Sequence, residues 1–129
     1  MAEGFGQYNQ NVPPRMRELR KRILAAETND PEDLMIIIIE VLKDEALYPE
    51  PGKFYTFIYN AKTPGLEYDQ HPLIACTSIE SWGFKGINFH WRQQRQYTWP
   101  EVAGKLHIVK YEELDEMLSI PYAKFRLNK

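Results

Sequence analysis

An aromatic-rich stretch over residues 51–99 constrains the fold of this chain more than any other feature. Three short runs dense in aromatic and β-branched side chains lie within it, at 54–59, 73–79 and 84–91. Such runs are typical of β-strands. Residues 81–83 predict a tight turn between the second and third runs, whereas the first two are separated by a longer loop over 60–72. The stretch therefore predicts two consecutive hairpins, and the longer loop is a candidate contact loop.

The rest of the chain supplies helices on one side of this stretch and two more strands on the other. Short runs at 106–109 and 122–127 predict a fourth and a fifth strand, with helical turns at 99–102 and 111–118. We therefore expect an α+β fold, in which two N-terminal helices precede a small five-stranded SH3-like or partly open β-barrel. The chain then divides into an extended N-terminal arm (1–14), a helical segment (15–48) and a small β-barrel domain (49–129).

The first helix is predicted over residues 15–27. Pro14 suits its first turn, where the N–H that proline lacks would have no intrahelical partner. One apolar stripe follows at helical spacing, made of Met16, Leu19, Ile23 and Leu24.

The second helix is predicted over residues 31–47. Asp30 and Pro31 form a strong helix start, because a side-chain oxygen can accept from the first N–H groups and proline fits the first turn. The β-branched run from Ile36 to Ile39 is also consistent with a buried strand. The start signal before it and the mixed sequence over 40–45 favour a helix.

Basic residues crowd the first helix outside its apolar stripe. The arginines in question, which we consider candidate partner-binding residues, are Arg15, Arg17, Arg20 and Arg22. Guanidinium groups bind carboxylates and phosphates through paired hydrogen bonds. This face therefore fits an acidic protein surface or a nucleic-acid backbone, and the simpler alternative is a solvated helix face.

Within the N-terminal arm, residues 1–12 are rich in Gly, Gln and Asn and have no periodicity that would bury a face of their own. Phe5 and Tyr8 are its two aromatic residues, and aromatic side chains dominate the energetics of small contacts. We expect them to anchor the arm on a partner, the alternative being that the arm folds back on its own domain.

Composition bounds the class of protein. A chain of 129 residues with 43% hydrophobic residues is expected to form one domain. Its net charge of −2 gives no general attraction to nucleic acid or to an anionic membrane. Cys76 is the only cysteine, which fits a reducing compartment, and the longest apolar run, 34–39, is too short to span a bilayer. We expect a soluble protein made in a cytoplasm.

The sequence predicts no catalytic residue, no metal site and no cofactor. The three histidines, His71, His90 and His107, lack the spacing of a zinc site. Asp69 lies two residues from His71, but no nucleophile accompanies this acid and base, and Cys76 sits in an apolar strand where thiols are mostly inert.

The loops of the predicted barrel carry further candidate contacts. These are Tyr68, Asp69, His71, Arg92 and Arg95. Basic and aromatic side chains alternate from His90 to Trp99, which is also the pattern of a single-stranded nucleic-acid platform. Nucleic acid therefore stays an alternative partner.

Several strings in the C-terminal two thirds carry a resemblance to a known family. They are PGKFYTFIYNAKTP, YDQHPLIACTSI, WGFKGINFHW, RQYTWPEVAGKLHIV and IPYAKFRLN. With them the region 49–128 resembles a family of small proteins encoded by contractile-tailed phages of cyanobacteria. The most specific blocks are Pro-Gly-Lys-Phe-Tyr, Asp-x-x-Pro-Leu and Gly-Phe-x-Gly-Ile-Asn-x-His. The arm and the basic helix lie outside the matched region.

The resemblance implies a structural part of a virion rather than an enzyme, and it carries over no catalytic residue. We expect a tail or baseplate subunit that joins neighbouring virion subunits through its arm, helices and barrel loops, in a hetero-oligomeric assembly with multiple copies. No membrane is expected as a partner. The alternative is a DNA-associated virion factor at the head-to-tail region that binds phosphates through the basic helix.

Overall fold

The computed structural model describes residues 12–28, 30–59, 73–89 and 92–120. Its helices and strands are α1 (Pro14–Ala26), α2 (Pro31–Val41), β1 (Glu45–Ala46), β2 (Phe54–Tyr59), β3 (Leu73–Glu80), β4 (Gly83–Asn88), β5 (Gln93–Thr98), β6 (Val102–Val109) and α3 (Leu114–Ser119). Turns of 3₁₀ helix at Trp99–Glu101 and Tyr111–Glu113 precede β6 and α3. The predicted α+β class, with two N-terminal helices before the sheet, is confirmed.

The strands form one antiparallel sheet in the order β1-β6-β2-β3-β4-β5. Strands β2 to β5 form a meander, and β6 returns to the far side of β2. The sheet is not a closed barrel, because β1 and β5 are its two edges rather than neighbours. The expectation of five strands is corrected to six in the described part, and the predicted strand at 122–127 lies outside the described residues.

Helix α1 begins and ends close to the predicted bounds. Pro14 occupies the first turn as expected, and the carbonyl of Pro13 accepts the N–H of Arg17 at 3.0 Å. Glu27 follows the helix in the left-handed region with φ 53°, a conformation that stops helical hydrogen bonding.

The isoleucine run lies in α2, so the helix interpretation of this segment is confirmed. The prediction that the helix continues to residue 47 is wrong, because α2 ends at Val41. The backbone that follows hydrogen-bonds to the sheet instead: the carbonyl of Asp44 accepts the N–H of Ile108 at 2.9 Å, and β1 pairs with β6. Strand β1 has only two residues, so the alternation of polar and apolar side chains that predicts a strand is not visible in its sequence.

Two clusters of buried side chains lie on opposite faces of the sheet. The cluster on the helix side is aliphatic, and among its members are Met16 and Leu19 from α1, Leu34 and Ile38 from α2, Leu73 and Val109 from the sheet, and Met117 from α3. It joins all three helices to β2, β3 and β6, so helices and sheet share one core.

The other face holds an aromatic cluster centred on Phe57, Phe84 and Tyr97. Their ring centroids lie 5.3–5.6 Å apart, in the range in which aromatic pairs attract beyond simple burial. The Tyr97 hydroxyl accepts a hydrogen bond from the buried amide of Asn88 at 3.1 Å. In the described part of the chain none of α1, α2 and α3 contributes to this cluster, whose members come from the strands and from Trp99 in the turn after β5.

The hairpin between β3 and β4 has the predicted tight turn at Ser81 and Trp82. Gly83 is the first residue of β4, and the backbone of β5 lies close to it. A Cβ at this position would overlap the carbonyl oxygen of Tyr97 on β5. Among the described glycines, φ is positive at Gly52 and at Gly104.

Candidate interaction surfaces

The basic face of α1 is partly turned inward. Arg15 forms a paired interaction with the Glu113 carboxylate, in which Nε donates to Oε2 at 2.9 Å and Nη2 to Oε1 at 2.7 Å. The same guanidinium donates to the Ile108 carbonyl at 3.2 Å. Glu113 is only 1% exposed, and hydrogen bonding to it raises the pKa of Arg15 above its ordinary value, against the opposing effect of burial. Arg15 therefore compensates a buried charge of its own chain.

Arg20 repeats this arrangement further along α1. Its Nε donates to Glu116 Oε2 at 2.8 Å and its Nη2 donates to Oε1 at 2.6 Å. Glu116 lies on α3 and is largely buried. The two arginine–glutamate pairs fix α3 and the turn before it against α1.

The remaining cations of α1 face outward. Arg22 makes exposed ion pairs with Glu18 at 3.2 Å and with Glu40 at 3.0 Å. Arg17 and Lys21, one helical turn apart, are exposed and have no ion pair with any residue that the structure describes. Of the four arginines expected to bind a partner, three thus have carboxylate partners within the chain.

The candidate loop contacts are only partly within the described structure. Arg92 is exposed in the connection before β5, where its N–H donates to the Asn88 carbonyl at 2.6 Å and its φ is 60°. Arg95 lies on β5 and is half-buried. The other candidates lie outside the described residues: Phe5, Tyr8, Tyr68, Asp69 and His71.

The residues that follow the two edge strands, β1 and β5, contact each other at one place. The chain leaves β1 at Leu47 and Tyr48 and leaves β5 at Trp99, and the rings of Tyr48 and Trp99 meet edge to face with centroids 5.5 Å apart. The indole of Trp99 donates to the Ser81 carbonyl at 3.0 Å, which holds its ring in position. A capping box between Thr98 and Glu101 fixes the turn that carries Trp99.

This meeting point forms an open, mostly apolar groove of about 370 Å³, which we call the seam groove. It is lined by Leu47, Tyr48, Trp99, Val102, Gly104 and Leu106. Leu47 is 73% exposed and Tyr48 is 65% exposed at its rim, whereas Leu106 is buried in its floor. Large apolar side chains left this exposed next to a concave apolar surface are typical of a protein contact site.

The reactive side chains of the described residues have structural surroundings. Cys76 is buried as expected, and desolvation raises the pKa of its thiol, which makes it a poor nucleophile. His107 Nδ1 donates to the Leu42 carbonyl at 3.0 Å and so ties the end of α2 to β6. The described residues hold no group of three metal-ligating side chains, and none of the described helices is long and apolar enough to cross a membrane.

Neither a protein-family model, nor a curated protein, nor a solved structure matches this chain.

Sequence reasoning missed the seam groove. It placed Leu47 at the end of a helix and assigned Trp99 to a run of alternating basic and aromatic side chains. The two residues were therefore not expected to lie close together. The aromatic residue Tyr48 directly before the breaker Pro49 was the available signal, but its groove neighbours come from β6 and from the turn after β5 and are defined only by the sheet.

Proposed function

We propose that this protein is a non-enzymatic structural subunit of a tailed-phage virion, in the tail or baseplate, that joins neighbouring subunits. The observation that carries this proposal is the seam groove, where two large apolar side chains stay exposed beside an open part of the sheet. The resemblance of residues 49–128 to proteins of contractile-tailed phages supplies the kind of assembly.

The sheet edges support the same proposal. Strand β5 pairs with β4 over all six of its residues without a register shift, and among the described residues no strand pairs with its outer side. A regular edge strand presents unpaired backbone donors and acceptors, which a neighbouring chain can bind by adding a strand. With one charged residue, Arg95, the sequence of β5 carries little of the charge that usually blocks such pairing.

Mass spectrometry of purified virions and of separated tails tests the proposal. We expect peptides of this protein in both samples, in amounts that correspond to several copies per particle. If the protein is abundant in infected cells but absent from purified particles, the proposal is wrong.

The alternative function is a DNA-associated factor at the head-to-tail region. Arg17 and Lys21 favour it, because they form the part of the basic face that has no carboxylate partner in the described structure. Binding of this kind weakens steeply between low and physiological salt, since it depends on the release of counterions. Measurable duplex binding with such a salt dependence, lost in the double variant R17E/K21E, would support the alternative. The absence of binding at low salt would exclude it.

A further inference from the structure

The seam groove has room for a large side chain that the described chain does not supply. Its floor is Leu106, one wall is the Tyr48–Trp99 pair, and the opposite rim is Gly104, where even an added Cβ would have no atom within 4 Å. An incoming aromatic ring would contact the exposed parts of Leu47 and Tyr48. Rings that pair in this way, with part of their surface removed from water, are the usual anchors of protein contacts.

The backbone beside the groove is also available. Strand β1 pairs with β6 only at Leu106 and His107, whereas β6 begins at Val102. On the β1 side, the first residues of β6 therefore have no partner strand within the described ranges. An extended segment can place a ring in the groove and run along this stretch of β6.

The sequence of residues 1–11 fits such a site. Phe5 lies between Gly4 and Gly6, and glycines without a Cβ allow a backbone to approach another chain closely. Tyr8 provides a second ring three residues later, and Glu3 is the one charged side chain of the segment. An apolar groove in a sheet seam suits an uncharged segment with aromatic anchors better than the basic residues that follow it.

The two faces of the sheet decide which groove this segment reaches. Val12, where the segment joins the described chain, belongs to the aliphatic cluster on the helix side of the sheet. Leu106, in the floor of the groove, belongs to the aromatic cluster on the other face. The segment would therefore have to pass round an edge of the sheet to reach the groove of its own copy, whereas the groove of an adjacent copy imposes no such path.

We propose that residues 1–11 of one copy dock in the seam groove of a second copy, with Phe5 against Tyr48 and Trp99. This inference deepens the proposed function, on which it rests, by naming the first contact between subunits. Each copy has one arm and one groove, so the contact repeats head to tail and produces a ring or a longer array according to the rotation between copies.

Disulfide trapping in the full-length protein tests the contact. The variant F5C is mixed with a tagged L47C variant under mild oxidation, and the mixed dimer is measured on a non-reducing gel. The matched control replaces L47C with L24C, because Leu24 is an equally exposed leucine, at 71%, on α1. Native Cys76 does not compete, because it is buried.

We expect the F5C and L47C pair to form the mixed dimer at least about tenfold faster than the control pair, since docking raises the local thiol concentration. Adding the substitution Y48S to the L47C protein should reduce this rate toward the control. Equal rates for the two pairs would overturn the proposal. So would an intrachain disulfide in the double variant F5C/L47C at high dilution, because the arm would then occupy its own groove. Neither outcome changes the detection of the protein in virions, which tests the proposed function separately.

Discussion

Helix α1 and the seam groove differ in how their sequence relates to their exposed surface. Helix α1 is the most basic part of the sequence, yet Arg15 and Arg20 bind buried carboxylates of the same chain. The seam groove has no distinctive sequence, yet it leaves Leu47 and Tyr48 exposed beside a concave surface. The comparison shows that a cluster of charged residues is a candidate interface only where its members have no carboxylate or cationic partner within their own chain.

The physical reason for the difference is the cost of burial. Glu116 on α3 and Glu113 in the turn before α3 are buried, and a buried carboxylate is stable only when it is paired and hydrogen-bonded. Arginine is suited to this role because its planar fork meets both carboxylate oxygens. Two of the four candidate arginines, Arg15 and Arg20, therefore hold α3 and the turn before it on α1.

The largest effect is expected for Arg15→Ala. The substitution leaves Glu113 buried without its cation, so we expect the free energy of unfolding to fall by about 3–5 kcal/mol. Arg17→Ala is the matched control on the same helix, and its exposed side chain should contribute no more than about 0.5 kcal/mol. Urea unfolding monitored by circular dichroism measures both. Equal effects of the two substitutions would mean that the inner and outer arginines do not differ as described.

The next largest effect on stability is expected at Gly83, where β4 and β5 lie close together. A Cβ at Gly83 would overlap the backbone of Tyr97, so Gly83→Ala should force β4 and β5 apart and cost about 1–3 kcal/mol. Gly104→Ala has open space but a φ of 92°, so it should cost about 1 kcal/mol from backbone strain alone. Thermal unfolding of the two variants compares these causes. A neutral Gly83→Ala would contradict the close approach of the two strands.

A smaller effect on stability is expected for the outer face of α1. The double variant R17E/K21E reverses two exposed charges and leaves the apolar stripe and both buried pairs unchanged, so its stability should stay within about 0.5 kcal/mol of the parent. Particle assembly should be normal if the groove, rather than this face, joins the subunits. Loss of assembly with an intact fold would assign the contact to α1 instead.

The fold was predictable where local signals agree. Pro14 before an apolar stripe and the Asp30-Pro31 start before α2 located the two helices, and the aromatic runs located β2, β3 and β4. Strand β5 was missed because its sequence, Gln-Gln-Arg-Gln-Tyr-Thr, has one buried apolar residue and no alternation. Strand β1 was missed because it exists only through its pairing with β6.

The candidate sites were less predictable than the fold. The inward direction of Arg15 and Arg20 depends on where α3 packs, and nothing near them in sequence reveals Glu113 or Glu116. The seam groove combines side chains from two separate segments, 47–48 and 99–106, so it appears only once the sheet order is known.

Incorporation of variants into particles tests most directly the proposal that the seam groove, rather than the basic helix, joins this protein to its neighbours in a virion. Phage lacking the gene would be complemented with Y48S or with R17E/K21E, and the amount of each protein in purified particles measured by quantitative mass spectrometry. We expect Y48S, which changes a 65% exposed side chain and leaves the fold intact, to be lost from particles, and R17E/K21E to be retained at the parental level. Retention of Y48S together with loss of R17E/K21E would contradict the account.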